Sequence, residues 1–478
     1  MVFGPAPLFI VSEPQLSANS FHVVIVGGGF SGGSLAAHLL RLWPALRVAV
    51  VEKAFAPGRG VAYSAQARFH LLNVPAGNMS LLAEVPDHFL KWTRKYYDAS
   101  VQPRSFLART VFGDYVGWFL DAAIAEGDPE RFSWIKDAAC GLAREDDHWH
   151  VHCASGRVLP ANAVVAATGN FPPASPRLPG LNVSSRRYFP FAWSRGTLED
   201  LSQTGSVLLI GSGLTSVDLT MALKSRHFRG HIYIVSRHGL LPQRFQPTKS
   251  WPQFWNRRAP RTTRGLMRVI RAEVKQAREA GINWRTVIDA LRPVTQDIWQ
   301  SLPIEEQRRF LRHARAYWEV HRHRIAPEIA DVLADLVRDH QVRICAGRVT
   351  GYAEKKAFAE VTFRERHTGR QHLLRVDRVI NCTGSENDCR RIDDPFIRSL
   401  LSQGYARPDP LFLGLDVNDD GALISADGKI SESLFALGPT RRGHLWETTA
   451  VPEIRVQALN LAESLASRLA PEDALVPH

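Results

Sequence analysis

The chain has 478 residues, 45% of them hydrophobic and 22% charged, which is typical of a globular protein with two or three domains. No apolar run approaches the roughly 20 residues that cross a bilayer. The first twenty residues lack the basic start of a signal peptide, so we interpret them as a disordered lead. Five scattered cysteines without a C-x-x-C pair argue against a disulfide framework, a zinc site and a redox dithiol, and they predict the reducing cytoplasm as the compartment.

The net charge of +12 is concentrated in one part of the sequence. Between Arg244 and Arg324, 18 Lys and Arg residues stand against 7 Asp and Glu residues, a surplus of 11. The rest of the chain is therefore close to neutral. Any partner that needs a positive potential is expected to meet the protein at this segment.

The first elements in chain order form a βαβ unit around a glycine motif. A continuous apolar strand at Phe21–Val26 precedes a helix at Ser31–Leu42 and a strand at Arg47–Val51. Between strand and helix stands G-x-G-x-x-G, whose glycines allow a tight turn, close approach of a pyrophosphate and close helix packing. An acid at the end of the next strand can accept hydrogen bonds from an adenosine ribose. This pattern predicts a dinucleotide site at Gly27, Gly29, Phe30, Ser31, Gly32, Glu52 and Lys53.

A second βαβ unit follows, with strands at Ser206–Ile210 and His231–Val235 and a helix that runs through Lys224. Its glycine motif keeps the first two glycines and has a serine in the third place, at Gly211, Gly213, Leu214, Thr215 and Ser216. The second strand leads into Ser236 and Arg237 instead of an acid. Because an arginine can fork onto a 2′-phosphate, whereas an acid would repel it, this unit favours NADPH over NADH.

Each unit is later completed by an apolar strand and a Thr-Gly pair, at Thr168 and Gly169 in the first unit and at Thr383 and Gly384 in the second. The tail adds a strand at Leu434–Leu437, then Gly438 and a helix from about Pro452 to Leu469. In dinucleotide flavoproteins such a tail returns to cover the flavin of the N-terminal unit, which places FAD in the first unit. Pro439 stands where many of these proteins have an Asp.

The predicted fold is α/β, with two Rossmann-type dinucleotide-binding domains, for FAD and NAD(P), and a helical insertion in the second. Residues 19–200 plus 381–470 form the discontinuous FAD-binding domain, and residues 201–380 form the NAD(P)-binding domain. The basic helical insert covers about residues 250–340 and contains five of the twelve tryptophans.

These motifs resemble those of a bacterial family of FAD/NAD(P)-binding oxidoreductases, similar to the flavin-dependent monooxygenases with two dinucleotide domains. The resemblance implies a tightly held FAD, NAD(P)H as hydride donor, and oxygen or another acceptor. It also implies that Tyr63, Asn73, Asn78, Met79 and Ser80 lie near the flavin. The resemblance is carried by Val24–Gly32, Gly60–Ser64, Leu71–Pro75, Asn78–Ser80, Gly211–Asp218, Ser236–Leu241, Val320–Arg324 and His444–Glu447.

One departure leaves the reaction open. N-hydroxylating and Baeyer–Villiger monooxygenases carry F-x-G-x-x-x-H before the second glycine motif, whereas Tyr188–Ser194 has neither the Gly nor the His. This absence puts oxygen insertion in doubt. From the resemblance as a whole, the expected function is an NAD(P)H-dependent, monooxygenase-like enzyme acting on a small molecule with molecular oxygen. The alternatives are a reductase of another acceptor without oxygenation, and a redox-sensing or nucleic-acid-binding flavoprotein.

The basic insert carries the substrate hypothesis. At 3.6 residues per turn, Arg315, Trp318 and Arg322 share a helix face, which suits an anionic or aromatic substrate. The opposing interpretation is that Trp318 packs the helix and the arginines are solvated. Trp446 and Glu447, beside the closing helix, are further candidates.

Other ligands are disfavoured by the residue pattern. His313, His321 and His323 lack the carboxylate partner and the common face that a metal site needs. Nucleic acid would suit the positive charge, but the tryptophans stand among apolar residues and are typical of a helix core. The sequence names no catalytic acid or base and leaves the substrate and the oligomeric state open.

Overall fold

The computed structural model describes residues 20–43, 45–64, 70–145 and 147–469. The predicted disordered lead lies outside these residues, apart from Ser20. The structure is an α/β fold with two separate sheets, each with a parallel centre covered by helices. No helix within the described ranges is both long and apolar enough to cross a membrane.

Within the described residues, the strands of the first sheet are β1 (Phe21–Val26), β2 (Val48–Val51), β3 (Phe132–Ile135), β4 (Ala139–Glu145), β5 (His148–Cys153), β6 (Val158–Ala166), β14 (Ala422–Ile424) and β15 (Ile430–Ala436). Their order is β14-β15-β6-β1-β2-β3, and β5 and β4 extend from β6 as an antiparallel hairpin. From β15 to β3 neighbouring strands are parallel.

Strand β1 is apolar throughout because both of its faces are covered. Val23 and Ile25 belong to one hydrophobic core, and Val24 and Val26 belong to another on the opposite face of the sheet. The helices associated with this half of the molecule are α1 (Phe30–Leu42), α2 (Gly60–Tyr63), α3 (His88–Tyr96), α4 (Arg109–Ala125), α12 (Pro395–Ser402), α13 (Arg442–Leu445) and α14 (Val451–Leu469). Helix α1 lies between α4 and α14, so the C-terminal helix packs on the helix of the first glycine motif.

The described strands of the second sheet are β7 (Tyr188–Phe189), β8 (Ser206–Ile210), β9 (His231–Ser236), β10 (Val342–Glu354), β11 (Ala359–Glu365), β12 (Gln371–Val376) and β13 (Arg378–Asn381). Their order in the sheet is β12-β11-β10-β9-β8-β13-β7. Strands β10, β9, β8, β13 and β7 are mutually parallel, and β11 and β12 add an antiparallel hairpin. Helix α5 (Leu214–Ser225) connects β8 to β9.

The predicted boundary between the domains, after residue 200, needs a correction. Strand β7 already pairs with β13, so the second unit begins before Tyr188. Leu178 and Leu181 also pack against the core of the second sheet. The predicted boundary was late because a two-residue strand gives no alternation of apolar and polar residues from which it could be recognised.

The insert is helical, but it begins later than predicted. Residues 250–262 form neither helix nor strand. The described helices that follow are α6 (Thr263–Glu279), α7 (Arg285–Ala290), α8 (Thr295–Ser301), α9 (Ile304–His313), α10 (Arg315–Arg322) and α11 (Pro327–Arg338). Helix α11 packs on the second sheet through Leu333 and Leu336. Helix α8 packs on α13, in the tail of the first unit, so the insert bridges the two halves.

Candidate dinucleotide-binding sites

The first glycine motif lies at the carboxyl end of β1. Gly27 has a φ of +105°, and a Cβ there would overlap the backbone carbonyl of Ala167 on the neighbouring strand. A Cβ at Gly32 would overlap the carbonyl oxygen of Gly27, so both positions require glycine. Helix α1 begins at Phe30, and Gly29 before it supplies no side-chain cap. The N–H groups of the first helical turn are therefore available to an anion.

The carboxylate of Glu52 is fixed beside this turn. One oxygen accepts a hydrogen bond from the Gly28 N–H at 2.9 Å, and the other accepts one from the Ala54 N–H at 2.9 Å. Oε1, which faces Ala54, also accepts a longer bond from the Phe55 N–H at 3.4 Å, whereas Oε2 keeps a second lone pair that can accept a bond from a ribose hydroxyl. Lys53 is exposed and forms a 3.8 Å ion pair with Asp394.

The tail returns to this turn, as the sequence predicted. A Cβ on Gly438, whose φ is +77°, would overlap the hydroxyl of Ser31 at the start of α1. The Gly438 carbonyl accepts a hydrogen bond from Thr448 Oγ1 at 2.9 Å. Pro439 follows in a short 3-10 turn and offers no acid. Polar contacts to a ligand from this segment would therefore have to come from the backbone or from other residues.

The residues that the resemblance places near a flavin have different surroundings. Ser80 and Met79 are buried, and Asn78 is exposed. Tyr63 packs edge-on against Phe30 at 6.1 Å. Thr168 is a further candidate, because it follows the carboxyl end of β6 and its Oγ1 is buried without a hydrogen-bond partner among the described residues. Gly169 beside it borders open space. An unpartnered hydroxyl, the glycine turn and the uncapped helix together fit a dinucleotide at the first unit.

The second motif repeats this geometry at the end of β8. Gly211 has a φ of +116°, and its missing Cβ would overlap the carbonyl of Cys382. Helix α5 starts at Leu214 without a side-chain cap, and a Cβ on Gly213 would meet no atom within 4 Å. Ser216 replaces the third glycine, is fully buried, and donates from Oγ to the Gly213 carbonyl at 2.7 Å. The serine therefore stabilises the turn, and Thr215 follows Leu214 in the first turn of α5.

The end of β9 lies next to this turn, because β8 and β9 are parallel neighbours. Ser236 Oγ accepts a hydrogen bond from Ser212 Oγ at 2.7 Å. Arg237 is exposed, and within the described residues its side chain has no ion-pair partner. Its backbone carbonyl accepts a hydrogen bond from Arg366 Nη1 at 3.1 Å. Sequence reasoning missed Arg366, because it is 129 residues away along the chain.

A buried ion pair joins the two units and was also missed. Arg109, at the start of α4, and Asp218, in α5, are 2.8 Å apart and largely shielded from solvent. They line a cavity of about 20 Å³ together with Asn73, Leu214 and His70. The ring of His70 is buried with both nitrogens unpartnered, and this burial lowers its pKa. Asp218 lay inside a motif that we identified, but nothing in the sequence indicated its partner.

The second Thr-Gly pair borders a wider opening. Thr383 Oγ1 donates to Asn381 Oδ1 at 2.7 Å, and Gly384 has no neighbour within 4 Å of a Cβ. Together with Arg177 and Arg391 they line an open groove of about 510 Å³. This groove is large enough for part of a dinucleotide.

The five substrate candidates come together where α10 meets the tail. Trp318 Nε1 donates to Glu447 Oε1 at 3.1 Å, and Arg322 Nη2 is 2.8 Å from Glu447 Oε2. Trp446 stacks on Trp299 at 5.1 Å and lies 5.7 Å from the guanidinium of Arg315. Trp446 has a φ of +60°, which is strained backbone for a bulky side chain.

The arginines of this cluster already have carboxylate partners. Arg322 also approaches Glu453 Oε1, which accepts a hydrogen bond from Arg292, and Arg315 pairs with Glu319 at 2.9 Å. Arg322 is about nine-tenths buried, so it is not the solvated charge of the opposing interpretation. His323 is partly buried beside them, and the loss of solvent around its ring lowers its pKa to about 3 and keeps it neutral. Neither His313 nor His321 belongs to a metal-ligating cluster, because the described residues contain no group of three such side chains.

Comparison with known proteins agrees with this geometry. Residues 24–171 match a family model described as FAD-NAD(P)-binding. An uncharacterised protein of Mycobacterium tuberculosis strain H37Rv is 26% identical over 409 residues, which cover 78% of this chain and 75% of the relative. The uncharacterised protein YdhS of Escherichia coli K12 is 24% identical over 221 residues, which cover 43% of this chain and 40% of the relative.

Among solved structures, the reduced ornithine hydroxylase PvdA of Pseudomonas aeruginosa is 16% identical with a TM-score of 0.65, and the alignment covers 94% of this chain and 100% of that one. The ornithine N-hydroxylase KtzI of Kutzneria sp. 744 was solved with reduced FAD, NADP⁺ and L-ornithine. It is 15% identical with a TM-score of 0.62, and the alignment covers 94% of this chain and 99% of that one. The L-lysine 6-monooxygenase of Pseudomonas syringae is 15% identical with a TM-score of 0.65, and the alignment covers 94% of this chain and 100% of that one.

The fold and the two glycine turns are those of a flavoprotein with two dinucleotide-binding domains, as predicted. The chain resembles FAD/NAD(P)-binding proteins, and the resemblance to the family model lies in residues 24–171.

Proposed function

We propose that the chain is an FAD-dependent oxidoreductase that takes hydride from NADPH in preference to NADH. The observation that carries the proposal is the duplicated turn. Two strictly spaced glycine turns, each followed by an uncapped helix, stand at the carboxyl ends of parallel strands in two different sheets. One such turn would serve a protein with a single nucleotide, whereas two serve the transfer of hydride between two nucleotides.

FAD would be held by the first unit. The N–H groups of α1 would bind its pyrophosphate, Glu52 its adenosine ribose, and Thr168 Oγ1 would donate the hydrogen bond for which it has no partner among the described residues. When bound, FAD accepts hydride from a nicotinamide and reduces an acceptor in turn. The chain's task is to orient the two nucleotides and to exclude water between them.

The start of α14 would face the pyrimidine end of the flavin. Val451 begins this helix directly after the segment that returns to Gly438. The positive end of its dipole would stabilise negative charge there. Arg455, in the second turn, donates to the Ser80 carbonyl at 3.4 Å and joins the helix to the loop that the resemblance places near the flavin.

The reaction that fits the fold best is a monooxygenase-like one on a small molecule. The cluster of α10 and the tail would meet the substrate. Four arginines there, Arg292, Arg315, Arg322 and Arg442, face three glutamates, Glu319, Glu447 and Glu453, so one positive charge is in excess. This excess favours an anionic group on the substrate, and the rings of Trp318 and Trp446 favour an aromatic one.

Reduction of an acceptor without oxygenation is the second candidate. It is favoured by Tyr188–Ser194, which lacks the Gly and His of the hydroxylases and whose first two residues are taken up by β7. Purified protein should be tested for NADPH and NADH oxidation with and without small acids, aromatic compounds and quinones, with peroxide measured in parallel. Substrate-dependent oxygen consumption without peroxide supports oxygenation, and a colourless protein that cannot take up FAD contradicts the whole proposal.

A third candidate rests on helix α6. Arg264, Arg268, Arg271, Lys275 and Arg278 form one exposed stripe along it, and within the described residues only Lys275 has an ion-pair partner, Glu279 at 3.8 Å. Such a stripe suits a polyanion such as nucleic acid. Binding of duplex DNA should then weaken steeply with salt, with about −0.9 in the log–log slope for each phosphate that is neutralised. Binding that does not depend on salt contradicts this candidate.

A further inference from the structure

Arg366 is held in a defined place at the carboxyl edge of the second sheet. Its N–H donates to the Ala346 carbonyl at 2.8 Å, and Ala346 is the register partner of Ser236 across the parallel strands β9 and β10. From there its guanidinium reaches across to donate to the Arg237 carbonyl at 3.1 Å. The side chain of Arg366 is thus brought against the backbone of Arg237, which directly follows β9, although the two residues are far apart in the sequence.

These two arginines have no neutralising partner. Within the described residues, neither forms an ion pair, and both are exposed. The nearest acid in the sequence, Glu365, is engaged elsewhere, with Thr368 and with His372 at 3.5 Å. Partial burial lowers the pKa of His238, and the positive charges of Arg366 and Arg237 lower it further. The group is a compact positive patch without a counter-charge, which is the environment that an anion would stabilise.

The place of this patch defines the anion. In a Rossmann unit the adenosine ribose of a bound dinucleotide lies at the end of the second strand, which is β9 here. A phosphate on the 2′ oxygen of that ribose would meet both guanidiniums, and arginine binds phosphate through paired N–H groups. We propose that Arg366 is a second 2′-phosphate ligand and that it sets the preference for NADPH together with Arg237. The proposal rests on the second nucleotide site of the proposed function.

The test uses binding and therefore does not depend on turnover. Adenosine 2′,5′-bisphosphate and adenosine 5′-monophosphate are titrated by calorimetry into the full-length, FAD-loaded protein. Arg366→Ala should weaken the binding of the bisphosphate roughly ten- to hundredfold and leave the affinity for the monophosphate unchanged, because only the bisphosphate presents a 2′-phosphate. Arg366→Lys should recover part of the loss. Arg375→Ala is the matched control, since Arg375 is exposed on the same hairpin but pairs with Glu360 at 3.2 Å.

Two results would overturn the proposal, and they differ from each other. If Arg366→Ala keeps the full preference for the bisphosphate, or weakens both probes equally, Arg366 only supports the loop through the Arg237 carbonyl. If the wild-type protein binds neither probe, the second nucleotide site itself is wrong, and the role of Arg366 is refuted with it.

Discussion

Replacing Gly29 by alanine separates the packing of the first turn from its binding of a ligand. A Cβ on Gly29 would lie 3.5 Å from the Gly60 Cα, an ordinary contact, and the φ of −70° suits any residue. The substitution should therefore cost the protein little stability by itself. In the complex, however, the same methyl group would occupy the space through which a pyrophosphate approaches the backbone N–H groups.

The expected loss is that of one charge-assisted hydrogen bond, about 1.5–3 kcal/mol, or a roughly ten- to hundredfold weaker affinity for FAD. A bulkier residue such as leucine should give colourless protein. Titration of FAD into the apoprotein by fluorescence measures the affinity, and the melting temperature of the apoprotein should stay unchanged.

Gly213→Ala is the matched control, because Gly213 has the same position before α5 and a Cβ there meets no atom within 4 Å. Gly213→Ala should weaken the binding of the nicotinamide nucleotide and leave the FAD content of the protein unchanged. Wild-type affinity for FAD in both Gly29→Ala and Gly29→Leu would refute the placing of the pyrophosphate at this turn.

Three further predictions concern charge. Arg237→Ala should raise the KM for NADPH roughly ten- to hundredfold more than that for NADH, and equal effects in steady-state assays would reduce Arg237 to a surface charge. Arg322→Ala should lower the free energy of unfolding by about 3–5 kcal/mol, because it leaves the buried carboxylate of Glu447 without its ion-pair partner, whereas Glu453 keeps Arg292. Arg315 is about one-third exposed, so Arg315→Ala should cost about 1 kcal/mol or less. Equal losses in urea titrations would contradict the network. Burial lowers the pKa of His38 to about 4 from the usual 6.5. The unfolded chain therefore binds a proton at His38 before the folded protein does, so up to about 3 kcal/mol of stability is present above pH 6.5 and is lost as pH falls towards 4. His38→Leu should flatten that part of the plot of unfolding free energy against pH, and an unchanged slope would contradict this role of His38.

Much of the architecture was predictable, because local patterns decide it. The strand at Phe21–Val26 has the predicted bounds, since an apolar run covered on both faces stops abruptly at glycines. The closing helix begins at Val451, one residue before the predicted start at Pro452. Strand β7 was missed because it is a two-residue strand at a sheet edge, whose pairing depends on β13, almost 200 residues later.

The sites were predictable only where one short motif holds their residues. The pattern predicted the glycine turns and placed Arg237 after the second strand of its unit, where its role as a phosphate ligand stays a prediction. The contacts of Arg366 with Arg237 and of Arg109 with Asp218, in contrast, join distant parts of the chain. At Arg322 the sequence indicated the positive charge but not its partners, Glu447 and Glu453, which makes the residue part of a buried network. A periodicity argument can place a side chain on a face, but it cannot name what covers that face.

The split of the first sheet has a consequence for how the protein is made. Strand β15 fills the place beside β6 only after about 260 intervening residues have been synthesised, whereas every strand of the second sheet lies between residues 188 and 381. On the ribosome the second unit can therefore finish folding first, while the edge of β6 stays open to other chains. A fragment that stops after residue 171 would keep the glycine turn but lose β15 and α14, so it should aggregate when expressed alone. Residues 422–469 thus complete the domain that residues 20–171 begin.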